Sequence, residues 1–198
     1  MKALVYHVTE DVRIDEVPDP TILDSKDTII KVTSTAICGS DLHLYGNFIP
    51  NVSEGDILSH EFMGKVVEVG SEVKKVQKGD CVAIPFVISC GTCFFCALNM
   101  QSLCDITNAG NKLAEEMFGY VPAGLFGFTK LAGGYAGGQA EYVRVPYVDT
   151  THIKIPQEVK DEQVLFLTDI FPTGYMVAEN ANIQPGDTVA IWGAGPVG

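Results

Sequence analysis

The chain has 198 residues, 46% of them hydrophobic, enough for a well-buried core and for one domain or one domain with part of another. Lys and Arg number 13 against 25 Asp and Glu, a net charge of −12, which argues against nucleic acid or an anionic membrane surface as partner. No apolar run reaches membrane-spanning length and the first residues lack a signal-peptide core, so the expected compartment is the reducing cytoplasm, where clustered cysteines bind metal more often than they pair.

In chain order, short β-branched runs alternate with Gly, Pro and Asp, and strands are expected over 1–8, 12–17, 27–38, 65–70 and 81–88. Few helical periods interrupt them, so this part reads as mainly β, an antiparallel sheet or barrel-like domain. Residues 108–139 are rich in glycine and aromatics without a settled period and read as a long ordered loop. Strand patterns return over 140–148 and 151–156, and the spaced apolar positions of 161–181 suggest a helix interrupted near Pro172. The character then changes: "PGDTVAIWGAGPVG" reads as a turn, a short apolar strand and a glycine-rich turn.

Four of the six cysteines fall within "CGTCFFCALNMQSLC". Cys90, Cys93, Cys96 and Cys104 follow C-x2-C-x2-C-x7-C, and four thiolates in one lobe can close a tetrahedral shell around a structural zinc. A disulfide framework is disfavoured by compartment. An iron–sulfur cluster shares the spacing of the first three cysteines but lacks the C-x3-C-P continuation of bacterial ferredoxins. Cys38, His60, Glu61 and Asp169 are scattered, and alone Cys38 reads as a core thiol, His60 as a strand-end histidine and Asp169 as a helix cap. Cys81 follows a turn and reads as a packing residue. Gly193, Gly195 and Gly198 form G-x-G-x-x-G after a strand pattern, where glycines permit a tight turn and close approach to a dinucleotide pyrophosphate.

Taken together, "CGSDLH", "HEFMGKVVEVGSEV", the cysteine lobe, "GGQAEYVRVP" and "GAGPVG" resemble the zinc-dependent medium-chain alcohol dehydrogenases in order and spacing. "GGQAEYVRVPYVD" and "LTDIFPTGY" resemble the branch of glutathione-independent formaldehyde dehydrogenase and formaldehyde dismutase. The resemblance implies a GroES-like, partly open barrel catalytic domain over 1–170 with short helices and a structural-zinc lobe, then the first strand and turn of a Rossmann domain over 171–198. It implies a catalytic zinc on Cys38, His60 and Asp169, with Glu61 close to the metal, either ligating it transiently or orienting its neighbours, and so two zinc ions per chain. Ser40 and His43 match the proton relay, and Thr173 a position near the nicotinamide. Ser59 stands where the family usually has glycine, which hints at an altered backbone. Asp41 reads as a structural hydrogen-bonding residue.

The activity so implied is hydride transfer between a small alcohol or aldehyde, formaldehyde among them, and NAD or NADP. A polyol- or threonine-type substrate is the alternative within the family, and a zinc-binding module without catalysis the alternative outside it. A homo-oligomer, dimer or tetramer, is expected of the whole protein. The sequence stops on the third glycine of the fingerprint, so the expectation is the N-terminal part of a dehydrogenase that binds zinc without turning over by itself.

Overall fold

In the computed structural model, which describes residues 1–198, the N-terminal β-branched runs become strands as their alternation requires. β1 (Lys2–Val8) and β2 (Asp11–Glu16) pair as an antiparallel hairpin. β3 (Thr28–Thr35) leads to a short helix, α1 (Gly39–Tyr45), and β4 (Phe62–Val69) returns antiparallel along β3. Next come β5 (Cys81–Ile84) and β6 (Val87–Ile88), separated at Pro85, which has no N–H to give to a ladder. The cysteine lobe holds the single turn α2 (Phe94–Ala97). Beyond it lie α3 (Lys112–Phe118), β7 (Gly124–Leu125), β8 (Tyr142–Val145) and β9 (Ile153–Ile155). The chain closes with α4 (Asp161–Val164), a 3₁₀ turn over Leu165–Thr168, and α5 (Ile170–Asn180).

The main sheet has the order β8-β3-β4-β5-β9, antiparallel throughout, and remains open. Its inner face carries Ile30, Phe62, Val66, Val82, Ile84, Val143 and Val145, which meet Ile88, Phe126 and Val148 in one core. Burying each such side chain stabilises the fold by about 1.5–3 kcal/mol. Phe62 and Phe126 pack edge to face at 5.2 Å. Two irregularities in the β3–β4 register, at Ile29/Ile30 and Val32/Ser34, accompany the curvature of this face. Cys81 packs beside Met63, Ala83, Ile155 and Leu165, the role its sequence position suggests.

Three local expectations need correction. The loop expected over 108–139 contains α3, begun by Asn111, whose side chain accepts the Ala114 N–H, and ended by Gly119 in the left-handed conformation. The helix expected over 161–181 breaks at Thr168–Asp169 rather than near Pro172; Pro172 lies in the first turn of α5, where its missing N–H leaves no bond unmade. The apolar run Thr188–Trp192 has no ladder partner and stays exposed, because a strand is stable only beside another.

Candidate metal centres

Asp41, on the first turn of α1, is 4% exposed and ties two segments together. Its Oδ2 accepts the Cys38 N–H at 2.8 Å and its Oδ1 the Ser59 N–H at 3.1 Å. The hydrogen-bonding role read from the sequence is therefore the one observed. Ser59, where the resemblance expects glycine, has a φ of +74°, the left-handed conformation that suits glycine. Next to it, His60 and Glu61 are buried.

His60 points Nε2 at Asp169 Oδ2, 3.0 Å away, while Nδ1 has no partner. Phe86 and Phe128 stand edge-on to its ring at 6.1 and 6.4 Å and keep the site apolar on those sides. Asp169 sits at the break before α5, and its other oxygen, Oδ1, accepts the Thr173 hydroxyl at 2.8 Å. The Phe86 N–H donates to the Thr168 carbonyl at 3.3 Å, which anchors this break to the β5–β6 bend. Glu61 has no exposed surface, and both its carboxylate oxygens lack a hydrogen-bond partner. One donor atom each from Cys38, His60, Glu61 and Asp169 lies within 4.8 Å of the others.

The electrostatics fit a cation. Burial pushes the Cys38 thiol and the Glu61 carboxyl up. Burial also opposes a charge on His60, yet the Asp169 hydrogen bond and the charges of Asp41, Asp169 and Glu61 outweigh it and lift the imidazole above its usual range. Against its own burial, Asp169 is held low by His60 and Thr173. Two orphaned, buried carboxylate oxygens beside a thiol, an imidazole and a second carboxylate are a donor set of the kind that suits zinc.

Cys38, Ser40 and His43 open onto a cavity of about 480 Å³ that is also lined by Ile170, Gly193, Gly195 and Gly198. The glycine-rich turn and the expected relay residues thus share one space. Ser40 is half-buried with Oγ 3.9 Å from Cys38 Sγ, and His43 is exposed one turn further along α1, its ring edge-on to Phe48. Ser40 and His43 are not hydrogen-bonded to each other. Thr173 is turned to Asp169 rather than left open, a contact with no local signal in the sequence.

In the lobe, Cys90 Sγ lies 4.0 Å from Cys96 Sγ and Cys93 Sγ 3.9 Å from Cys104 Sγ, with all four sulfurs within 4.8 Å. No pair is bridged. A zinc–sulfur tetrahedron with bonds of about 2.3 Å has edges of about 3.8 Å, so the spacing matches a single ion. Burial pushes Cys90 up, but N–H groups of Thr92 and Cys93 donate to its sulfur at 3.5 and 3.3 Å, and together with the Thr92 hydroxyl they bring it down to about 6. Burial and the neighbouring thiols Cys93 and Cys104 push Cys96 up to about 12.

The family profile described as "Alcohol dehydrogenase GroES-like domain" matches residues 24–157. A Bacillus subtilis protein described as an uncharacterized zinc-type alcohol dehydrogenase-like protein is 50% identical over 200 residues, covering 100% of this chain and 50% of that protein. The formaldehyde dismutase of Pseudomonas putida is 41% identical over 209 residues, again covering 100% of this chain and 49% of the relative. Among solved structures, an alcohol dehydrogenase from Thermus sp. ATN1 superposes with a TM-score of 0.87 at 36% identity, over 100% of this chain and 52% of that one. The chain therefore spans about half the length of the curated relatives it matches. No helix is long and apolar enough to cross a membrane.

Proposed function

Because the chain belongs to the family that carries the alcohol dehydrogenase GroES-like domain, we propose that it forms the metal-binding catalytic part, residues 1–170, of a zinc-dependent alcohol or aldehyde dehydrogenase. Residues 171–198 then begin its NAD(P)-binding domain. The observation that carries this reading is the convergence of Cys38, His60, Glu61 and Asp169 beside a cavity shared by Ser40, His43 and the glycine-rich turn. Zinc bound by Cys38, His60 and Asp169 supplies Lewis acidity toward a substrate oxygen, and NAD or NADP the hydride acceptor.

The protein's own residues do the rest. Ser40 takes the hydroxyl proton of the alcohol and passes it toward His43, which meets solvent at the cavity mouth. Thr173 holds Asp169 Oδ1, leaving Oδ2 directed at the site. Phe86 and Phe128 exclude water from the sides of His60. Gly193 and Gly195, where a Cβ is met by nothing within 4 Å, leave room for a pyrophosphate. Cys90, Cys93, Cys96 and Cys104 hold a second, structural zinc.

The substrate is a small alcohol or aldehyde hydrate, formaldehyde first among them on the likeness to the dismutase. A zinc-binding module without hydride transfer is the second reading, supported by the four clustered sulfurs of the lobe, a donor set that holds a structural metal without any catalytic position. The two separate in one assay on the whole protein of which this chain would form the N-terminal part: NAD(P)H formation with formaldehyde, a short primary alcohol, a polyol or threonine, against His60→Ala. Formation that His60→Ala abolishes supports the enzyme, and its absence with every substrate leaves the module reading.

A further inference from the structure

We propose that the Ser59 hydroxyl is a positioning group for the metal site, a cross-link between the segment that carries Cys38 and the segment that carries His60 and Glu61. The inference rests on reading Cys38, His60 and Asp169 as metal ligands. Ser59 has no exposed surface and lies at φ +74°. A side chain in that conformation costs roughly 1–2 kcal/mol relative to glycine, so the hydroxyl must return something a glycine does not.

Its contacts say what. The one proton of Ser59 Oγ can go to the carbonyl of Ala36 at 3.1 Å or that of Glu61 at 3.2 Å, while the oxygen shares a hydrogen bond with Thr35 Oγ1 at 2.9 Å and accepts the Glu61 N–H at 3.2 Å. Ala36 lies two residues before Cys38. On the other side of Cys38, the Ser59 N–H donates to Asp41, whose second oxygen holds the Cys38 N–H. One residue therefore touches the Cys38 segment on both flanks and fixes the peptide of Glu61 directly after His60. The hydroxyl is the only one of these contacts that glycine cannot supply.

Ser59 is also clamped from outside. Gly138 N–H donates to its carbonyl at 2.8 Å, and a Cβ on Gly127 or Gly137 meets Ser59 backbone atoms. The backbone path is thus set by the surroundings, and the hydroxyl adds a connection across the site rather than the fold itself. Ser59→Gly removes that connection and suits the dihedral. Ser59→Ala removes it and keeps the strain.

The test is Co²⁺ titration of the full chain after the cysteine lobe has been filled with zinc, read by the visible d–d bands and the charge-transfer band of the Cys38 thiolate. Urea midpoints are measured in parallel. Ser59→Gly should bind Co²⁺ roughly 10-fold more weakly, with shifted bands, while its urea midpoint stays level or rises. Ser59→Ala should weaken binding by a similar factor and lower the midpoint. Wild-type affinity and spectrum in both variants, or weakening in Ser59→Gly alone, overturns the proposal while the ligand reading stands. If wild type and His60→Ala bind Co²⁺ alike, the ligand reading fails and takes the proposal with it.

Discussion

Gly137→Ala tests how the motif "GGQAEYV" acts, because the structure explains its glycines by close approach. Residues 137–139 cross the segment before His60 and donate N–H groups to the carbonyls of Ile57, Ser59 and Leu58 at 2.9, 2.8 and 3.1 Å. A Cβ on Gly137 falls less than 3.0 Å from the carbonyl oxygens of both Leu58 and Ser59, which are backbone and cannot swing away. The crossing must open. Loss of three hydrogen bonds at about 1 kcal/mol each, or overpacking at about 1–3 kcal/mol, gives roughly 1–3 kcal/mol, an appreciable share of the roughly 5–15 kcal/mol that holds a typical domain.

Far-UV circular dichroism in urea is the assay, since the single Trp192 is 91% exposed and its fluorescence reports little of the core. Gly39→Ala is the control: a Cβ there meets nothing within 4 Å, and the change should fall within about 0.5 kcal/mol. Because the crossing leads straight into His60, Gly137→Ala should also weaken metal binding at Cys38, His60 and Asp169 while the cysteine lobe keeps its ion. A loss below about 1 kcal/mol, or a Gly39→Ala loss as large, refutes the close-approach argument.

Other consequences are narrower. Thr173→Val removes the donor to Asp169 Oδ1, so metal affinity at that site should fall roughly 10-fold and return in Thr173→Ser; a valine variant that binds like wild type assigns Thr173 no part in holding the carboxylate. Zinc uptake by the emptied cysteine lobe at pH 7.5 should release fewer than four protons, because Cys90, brought to about 6, is already a thiolate while Cys96, near 12, is not. Calorimetry in two buffers of different ionisation enthalpy counts them, and four would contradict that asymmetry.

Much of the site was legible because its chemistry is carried by residue types that have few other uses in such spacings. The C-x2-C-x2-C-x7-C run declared the lobe, and the structure brings its sulfurs together without a bridge. Cys38, His60 and Asp169 were found by resemblance rather than by spacing, since 109 residues separate the last two and only the folded chain brings them to 3.0 Å. Strands were read from alternation, and their ends moved where Pro85 and the β3–β4 irregularities intervened. α3 was missed because its two turns lie among glycines and aromatics and bury only Ala114; Asn111 and Gly119 at its ends were the available signal. The partner-dependent features had no local signal. The left-handed Ser59, the Thr173–Asp169 bond and the unpaired run before Gly193 each depend on what another segment offers.

The most direct test of two metal centres is zinc content per chain, by elemental analysis of protein purified without chelator or added metal. Two ions should be found, falling to about one in Asp169→Ala and about one in Cys104→Ala, with different ions lost in the two variants. Wild-type protein with one ion that Asp169→Ala leaves in place, or with none, contradicts the assignment of Cys38, His60 and Asp169 as a zinc site.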